Sequence, residues 1–304
     1  MNEGFSNRVP SRGEQVAPEL YFGASAVFHY LGPACAVLLF AFVSPLGVAW
    51  LRITVAAVAF ALWRRPWRVL RAAPPAQRRL LFAMGLVLAL MNSVFYLAID
   101  RLPFATVGAI EFLAPIAIAL AGLHDRRNLL ALALAVAGVS LLTRVHFDGG
   151  AIVYAFAFAN CALFGAYLVI GHALARDGGA SGIDRLGAAM LVALLIAAPI
   201  GLRDALPALS DARLLAAAVG VGICSSVIPY VFDQLAMARL PRASFALLMA
   251  LMPVCAVAIG ALVLRQLPGP TEWTGIALVI AGVRLHRGAT IAKSTPSIHR
   301  EPAK

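Results

Sequence analysis

Long apolar runs broken by short polar joints dominate the chain. Ten runs fall at residues 20–42, 46–63, 80–99, 104–122, 128–143, 150–172, 186–202, 213–236, 242–263 and 271–286. A helix needs about 20 mostly apolar residues to cross the hydrocarbon core of a bilayer, with a lower limit near ~17. The runs are continuous rather than alternating every second residue, which favours helices over a membrane barrel. The pattern predicts an all-α integral membrane protein with ten transmembrane helices.

The two halves of the pattern match each other. At an offset of 138, LAIDRLPFATVGAIEFLAP (97–115) lies over LAMARLPRASFALLMALMP (235–253), and eight of the nineteen positions are identical. At an offset of 144, AGVSL (137–141) lies over AGVRL (281–285). Each half then holds five helices, and five is odd, so the second half starts from the opposite side of the membrane. This predicts two inverted five-helix repeats, at 20–143 and 150–286, between an N-terminal tail (1–19) and a basic C-terminal tail (287–304). Inverted repeats recur in secondary transporters, whose substrate sites lie near the midplane at the repeat interface.

Composition agrees with the pattern. The chain is 62% hydrophobic and 13% charged over 304 residues, against roughly half apolar and about a quarter charged in soluble domains. Placing the N-terminus inside puts 19 of the 25 basic residues on inner segments, six of them between Arg64 and Arg79. Arg101, Arg144, Arg203, Arg213 and Arg265 fall outside and Arg52 within a helix. That bias obeys the positive-inside rule and predicts both termini in the cytoplasm. The first 19 residues hold no cleavable signal pattern. The net charge of +11 is dispersed between apolar runs, not gathered in a stripe, which argues against nucleic acid as a partner. The expected partners are the lipid bilayer, with the basic tail on anionic lipid, a small-molecule substrate and protons.

Polar residues inside the runs are the candidate chemistry. At about 1.5 Å per residue, Glu111, Arg52 and Asn92 lie roughly 9–10 Å deep on three different helices. His29, Asn160, Ser225 and Ser226 fall nearer the midplane, with Tyr96 and Tyr230 beside these layers. A charge at the bilayer centre costs at least ~2.5–3.5 kcal/mol. Two readings follow for Arg52 and Glu111: a fixed ion pair that orders the bundle, or a site for a zwitterionic substrate with Glu111 exchanging a proton. His29 is either a titrating group or a neutral packing group, and Asn92, Asn160 and the serines are either site residues or interhelical hydrogen-bond glue. Asp233 and His172, near helix ends, are expected to snorkel to the interface. Pro33, Pro115, Pro229 and Pro253 fall within helices and are expected to kink them.

Cys35, Cys161, Cys224 and Cys255 show no metal-like spacing and read as packing residues. No metal site or cofactor is expected. H-E-x-x-H, G-x-S-x-G and P-loop motifs are missing, so a membrane-embedded enzyme is the weakest alternative and a gradient must drive any transport.

MNSVFYLAIDRLPFATVGAIEFLAPIAIAL (91–120), SSVIPYVFDQLAMARLPRASFALLMALMP (225–253), AWLRI (49–53) and RRPWR (64–68) resemble the EamA-type transporters of the drug/metabolite transporter superfamily, in the threonine/homoserine exporter branch. The resemblance runs over nearly all of 20–286. It implies a ten-helix inverted-repeat transporter of the bacterial inner membrane that exports small amino acids or related metabolites by proton exchange. It also places Asn92, Tyr96, Glu111 and Arg52 at motif positions. Drug or lipophilic-cation efflux is the alternative cargo. The chain departs from the family at Met252, where an acidic residue is frequent, and at Arg265-Gln266, where Gly-Glu is frequent. The second half has thereby lost carboxylates, leaving Glu111 as the main expected coupling group.

Overall fold

The computed structural model describes residues 17–102, 104–122, 125–142, 150–176, 179–252, 254–255 and 269–286. These are helical throughout, with short turns. The helices are α1 (Pro18–Leu39), α2 (Pro45–Arg64), α3 (Trp67–Ala72), α4 (Pro75–Ile99), α5 (Phe104–Glu111), α6 (Leu113–Gly122), α7 (Arg126–Leu142), α8 (Ala151–Ala175), α9 (Gly179–Ser210), α10 (Ala212–Gly222), α11 (Ile228–Met237), α12 (Arg242–Leu248) and α13 (Pro270–Leu285). A π-helical turn, Ile223–Val227, joins α10 to α11. Six of these helical stretches are long and apolar enough to cross a membrane: Glu19–Leu39, Pro45–Arg64, Pro75–Ile99, Ala151–Ala175, Gly182–Ser210 and Ala212–Met237. The chain is thus an all-helical, multi-pass membrane protein.

Local chemistry sets the ends. Ser44 caps α2 by accepting from the Gly47 N–H at 3.3 Å, with Pro45 in the first turn, where its missing N–H costs nothing. Arg65, in the left-handed conformation at φ 50°, and Pro66 close the same helix. Asp211 caps α10 through the Arg213 and Leu214 N–H groups.

The structure departs from the apolar pattern in several places, the π turn within the run 213–236 and the end of α12 within the run 242–263 among them. The arginine-rich joint after α2 holds the short helix α3. The seventh run lies in a 32-residue helix, α9, that continues through Pro199 and Pro207. The run at 104–122 is two helices, α5 and α6, broken at Phe112. Pro253, Arg265-Gln266, residues 1–16 of the N-terminal tail and all of the C-terminal tail lie outside the described residues.

Packing positions the site. Helix α2 lies along α9, α4 against α8 and α9, α1 against α11, and α7 along α13. The α7–α13 pair is antiparallel and held by two glycines. A methyl at Gly138 would stand 2.6 Å from Val279 Cγ2 and 2.7 Å from the Gly275 carbonyl oxygen. A methyl at Gly282 would stand 2.6 Å from the Ala131 carbonyl oxygen and 3.0 Å from the Ala135 nitrogen. At the α1 crossing, a methyl at Gly32 would lie 2.2 Å from Ser225 Cβ. Only glycine admits that approach, which brings α1 onto the π turn.

Candidate functional site

The π turn follows from Pro229. A proline has no N–H and crowds the carbonyl four residues back, here that of Ser225. The helix widens over Ile223–Val227, as helices do at such defects. The Ser225 carbonyl has lost its helical partner, and a buried carbonyl needs a replacement. Arg52 on α2 supplies it: Nη2 donates to Ser225 O, Nε donates to Ser226 Oγ at 2.6 Å, and Nη1 reaches Tyr96 Oη at 3.5 Å. The guanidinium also lies 5.7 Å from the Tyr96 ring centroid and 5.9 Å from that of Tyr230, within cation–π range.

Arg52 is 5% exposed, yet among the described residues no carboxylate lies within 4.0 Å of its nitrogens. A guanidinium has five N–H donors and three are engaged. Of the two readings of Arg52 and Glu111, the fixed ion pair is not formed among the described residues. The two charges instead stand on the walls of one cavity of about 60 Å³, lined by His29, Tyr30, Pro33, Arg52, Met91, Asn92, Phe95, Gly108, Glu111, Asn160, Phe164, Tyr230 and Met252. A water needs about 10–15 Å³ by this measure, so the cavity has room for several.

The Glu111 wall has the same local cause. Pro115 lies four residues beyond Glu111 and cannot offer its carbonyl an N–H. The helix is interrupted at Phe112, and the Glu111 carbonyl takes a weak Sγ–H contact from Cys161 at 3.9 Å. The side chain turns to α8, where Asn160 Nδ2 donates to Glu111 Oε1 at 3.2 Å. Asn160 Oδ1 is buried without a hydrogen-bond partner among the described residues. The carboxylate and a free amide oxygen thus sit side by side.

Of the residues predicted from sequence, His29, Arg52, Asn92, Glu111, Asn160 and Tyr230 line the cavity. Tyr96, Ser225 and Ser226 stand behind Arg52 and hold it. Asn92 is itself anchored, donating Nδ2 to Leu88 O at 2.7 Å. Pro33 lines the cavity, Pro115 a smaller adjoining pocket, and Pro229 closes the π turn.

Two expectations fail. Asp233 and His172 do not snorkel: they are 1% and 6% exposed. The His172 ring nitrogens reach the carbonyl oxygens of Leu168 and Leu240 at 3.1 and 3.3 Å. Asp233 accepts from Ser25 Oγ at 2.6 Å and Tyr167 Oη at 3.0 Å, with His29 Nε2 at 3.9 Å. Sequence reasoning missed this cluster. The available signals were the four-residue spacing of Ser25 and His29, which puts them on one helix face, and the three-residue spacing of Tyr230 and Asp233.

Known proteins agree with this architecture. The EamA-like transporter family matches residues 151–287. The threonine/homoserine exporter RhtA of Salmonella typhimurium is 31% identical over 278 residues, covering 89% of this chain and 88% of its own. The protein of that name from Escherichia coli K12 is 30% identical over 253 residues, covering 82% and 84%. A solved crystal structure superposes with a TM-score of 0.67 at 20% identity, covering 90% of this chain and 97% of its own, and so shares the fold. The chain is a membrane transporter and belongs to the EamA-like transporter family.

Proposed function

We propose that the protein exports small zwitterionic amino acids of the threonine/homoserine kind, or closely related metabolites, across the bacterial inner membrane in exchange for protons. The observation that carries this reading is the charge arrangement of the cavity. On one wall Arg52 is a buried cation with unspent N–H donors and, among the described residues, no carboxylate within 4.0 Å. On the other, Glu111 sits beside the unpartnered Asn160 Oδ1. The first suits an α-carboxylate and the second an α-ammonium. Asn92, Tyr96, Ser225, Ser226 and Tyr230 orient the cation end, and His29 borders the space between. Glu111 binds either a proton or the ammonium group, and that competition makes the movement an exchange. The names of the RhtA relatives favour the same cargo.

The architecture proposed with it has ten transmembrane helices in two inverted repeats, 20–143 and 150–286, with both termini cytoplasmic. The α7–α13 contact supports the repeat. Subtracting 144 from Gly282, Gly275 and Val279 gives Gly138, Ala131 and Ala135. Gly138 faces Gly275 and Val279, and Gly282 faces their counterparts Ala131 and Ala135. Antiparallel helices that exchange equivalent contacts are what a two-fold axis in the membrane plane produces. Under the 138 offset the helix break at Phe112 corresponds to Ala250, within the break Met249–Ala250 that follows α12.

Reconstituted vesicles test the function. Outward threonine movement in wild type should drive proton flux inward, and Glu111→Gln should abolish that flux. Unchanged flux would remove Glu111 from the mechanism. Efflux of lipophilic cations is the competing reading, favoured by the aromatic lining of Tyr30, Phe95, Phe164 and Tyr230. Arg52 on the same cavity repels a cation, so a cationic dye should fail to compete with threonine.

A further inference from the structure

Beside the cavity lies a closed polar cluster that the transport reading leaves unused. Asp233 is 1% exposed and does not reach the cavity surface, whereas His29 does. The imidazole therefore forms the partition between cavity water and the carboxylate. The 2.6 Å separation of Ser25 Oγ from Asp233 Oδ1 is in the range of a charge-assisted bond to an ionised oxygen. Ser25 Oγ also lies 3.2 Å from the Pro229 carbonyl oxygen. When Asp233 carries a proton on Oδ1 it becomes the donor to Ser25, and Ser25 turns its own proton to Pro229. Both protonation states have a full set of partners without any heavy atom moving. A carboxylate that only braced the helices would need one such set.

Ser25, His29 and Asp233 are also the residue types of a hydrolytic triad. Their arrangement is wrong for one, because Ser25 is 1% exposed, lies off the cavity and has the carboxylate as its nearest acceptor.

We propose that Asp233 and His29 form a second proton-binding site, in which His29 passes a proton between the cavity and the buried carboxylate. This rests on the proton-exchange reading above and extends it. In the transfer the Nε2–H bond of the imidazolium breaks as an O–H bond forms on the Asp233 oxygen nearest the ring, both groups become neutral, and half a turn of the carboxyl then presents the protonated oxygen to Ser25 and the bare one to Tyr167. The 3.9 Å gap between those atoms requires the ring to swing toward the carboxylate. Nε2 then recovers a proton from cavity water. The groups facing the pair are Tyr167 from α8, Tyr230 from α11 with its ring 6.1 Å from His29, and Arg52 from α2 behind Tyr230. Glu111 stands across the cavity on α5. The Arg52 cation repels an imidazolium and favours delivery of the proton to Asp233. Glu111 must release its proton when cargo binds, whereas Asp233 touches no cargo and holds its proton independently.

Threonine is the probe. In vesicles, Asp233→Asn should lose at least about tenfold in threonine movement driven by a pH gradient, while threonine–threonine exchange without a gradient stays within about twofold. Loss of both to the same extent, or of neither, overturns the proposal. A second measurement needs no cargo: between about pH 5 and 8, purified Asp233→Asn should take up about one proton fewer than wild type. If wild type moves no threonine, the transport reading fails and this proton count alone decides, an equal count overturning the site. Should Asp233→Asn fail to fold, Ser25→Ala with Tyr167→Phe strips the carboxylate of its two hydroxyl donors and leaves it in place. That variant must change the pH at which the proton is taken up, and an unchanged pH overturns the site.

Discussion

Two proline breaks build the two walls of the cavity, and they use the same backbone defect differently. At Pro229 the released carbonyl of Ser225 is itself the functional group, because it holds a cation brought from α2. At Pro115 the released carbonyl of Glu111 meets, among the described residues, a thiol, while the charge resides on the residue's own side chain. One wall imports its charge and supplies the acceptor from the backbone. The other supplies its charge and uses the break to aim it. A kink in a membrane helix therefore does more than bend the axis, since it creates polar capacity at depths where water cannot provide it.

The sharpest way to break this comparison is Arg52→Lys. An ammonium keeps the charge but cannot hold Ser225 O, Ser226 Oγ and Tyr96 Oη in one fork. A hydrogen bond to a charged group is worth about 1.5–3 kcal/mol, so threonine transport should fall on the order of 100-fold while the protein still folds. Near wild-type transport in Arg52→Lys would show that charge alone suffices and that the backbone acceptor is incidental.

Gly32→Ala probes the same wall through packing. Its methyl would meet Ser225 Cβ at 2.2 Å and Ser225 Cα at 2.5 Å. Overpacking of this kind costs about 1–3 kcal/mol, expected here as a lower thermal unfolding temperature in detergent together with weaker substrate binding. A variant as stable as wild type would mean that α1 does not press on the π turn.

How far the sequence reveals this site depends on where each residue's partners lie. Arg52 and Glu111 stand out because a charge inside an apolar run has few innocent explanations. The prolines were visible, and their effect on the residue four positions back follows from local geometry. Asp233 was not readable, because its depth was counted from the end of its own run. Its partners Ser25 and Tyr167 lie 208 and 66 positions away, and only the fold brings them over it. The six long apolar helices were legible for a related reason: a span must satisfy its backbone within itself, so its signal is contiguous. The split at Phe112 was hidden, because a break between two apolar helices leaves the hydropathy unchanged.

Replacing each proline by alanine separates the two walls directly. In Pro229→Ala the restored N–H offers the Ser225 carbonyl a helical partner in place of Arg52. Transport should fall about tenfold, the equivalent of roughly one hydrogen bond to a charged group, while stability holds or rises as a helix-interior proline is removed. In Pro115→Ala the restored N–H competes only with Cys161, so the transport loss should be clearly smaller. Equal losses in the two variants would mean that the kinks act through helix shape alone.

Cys161→Ala is expected to have the smallest effect and isolates the weaker carbonyl contact. A thiol is a poor donor, and the 3.9 Å contact leaves little to lose. Unfolding stability should stay within about 0.5 kcal/mol of wild type, with threonine transport nearly unchanged. A large loss of transport with intact stability would show that the Glu111 carbonyl, and not only its side chain, must be held. The Glu111 wall would then work as the Ser225 wall does, through its backbone.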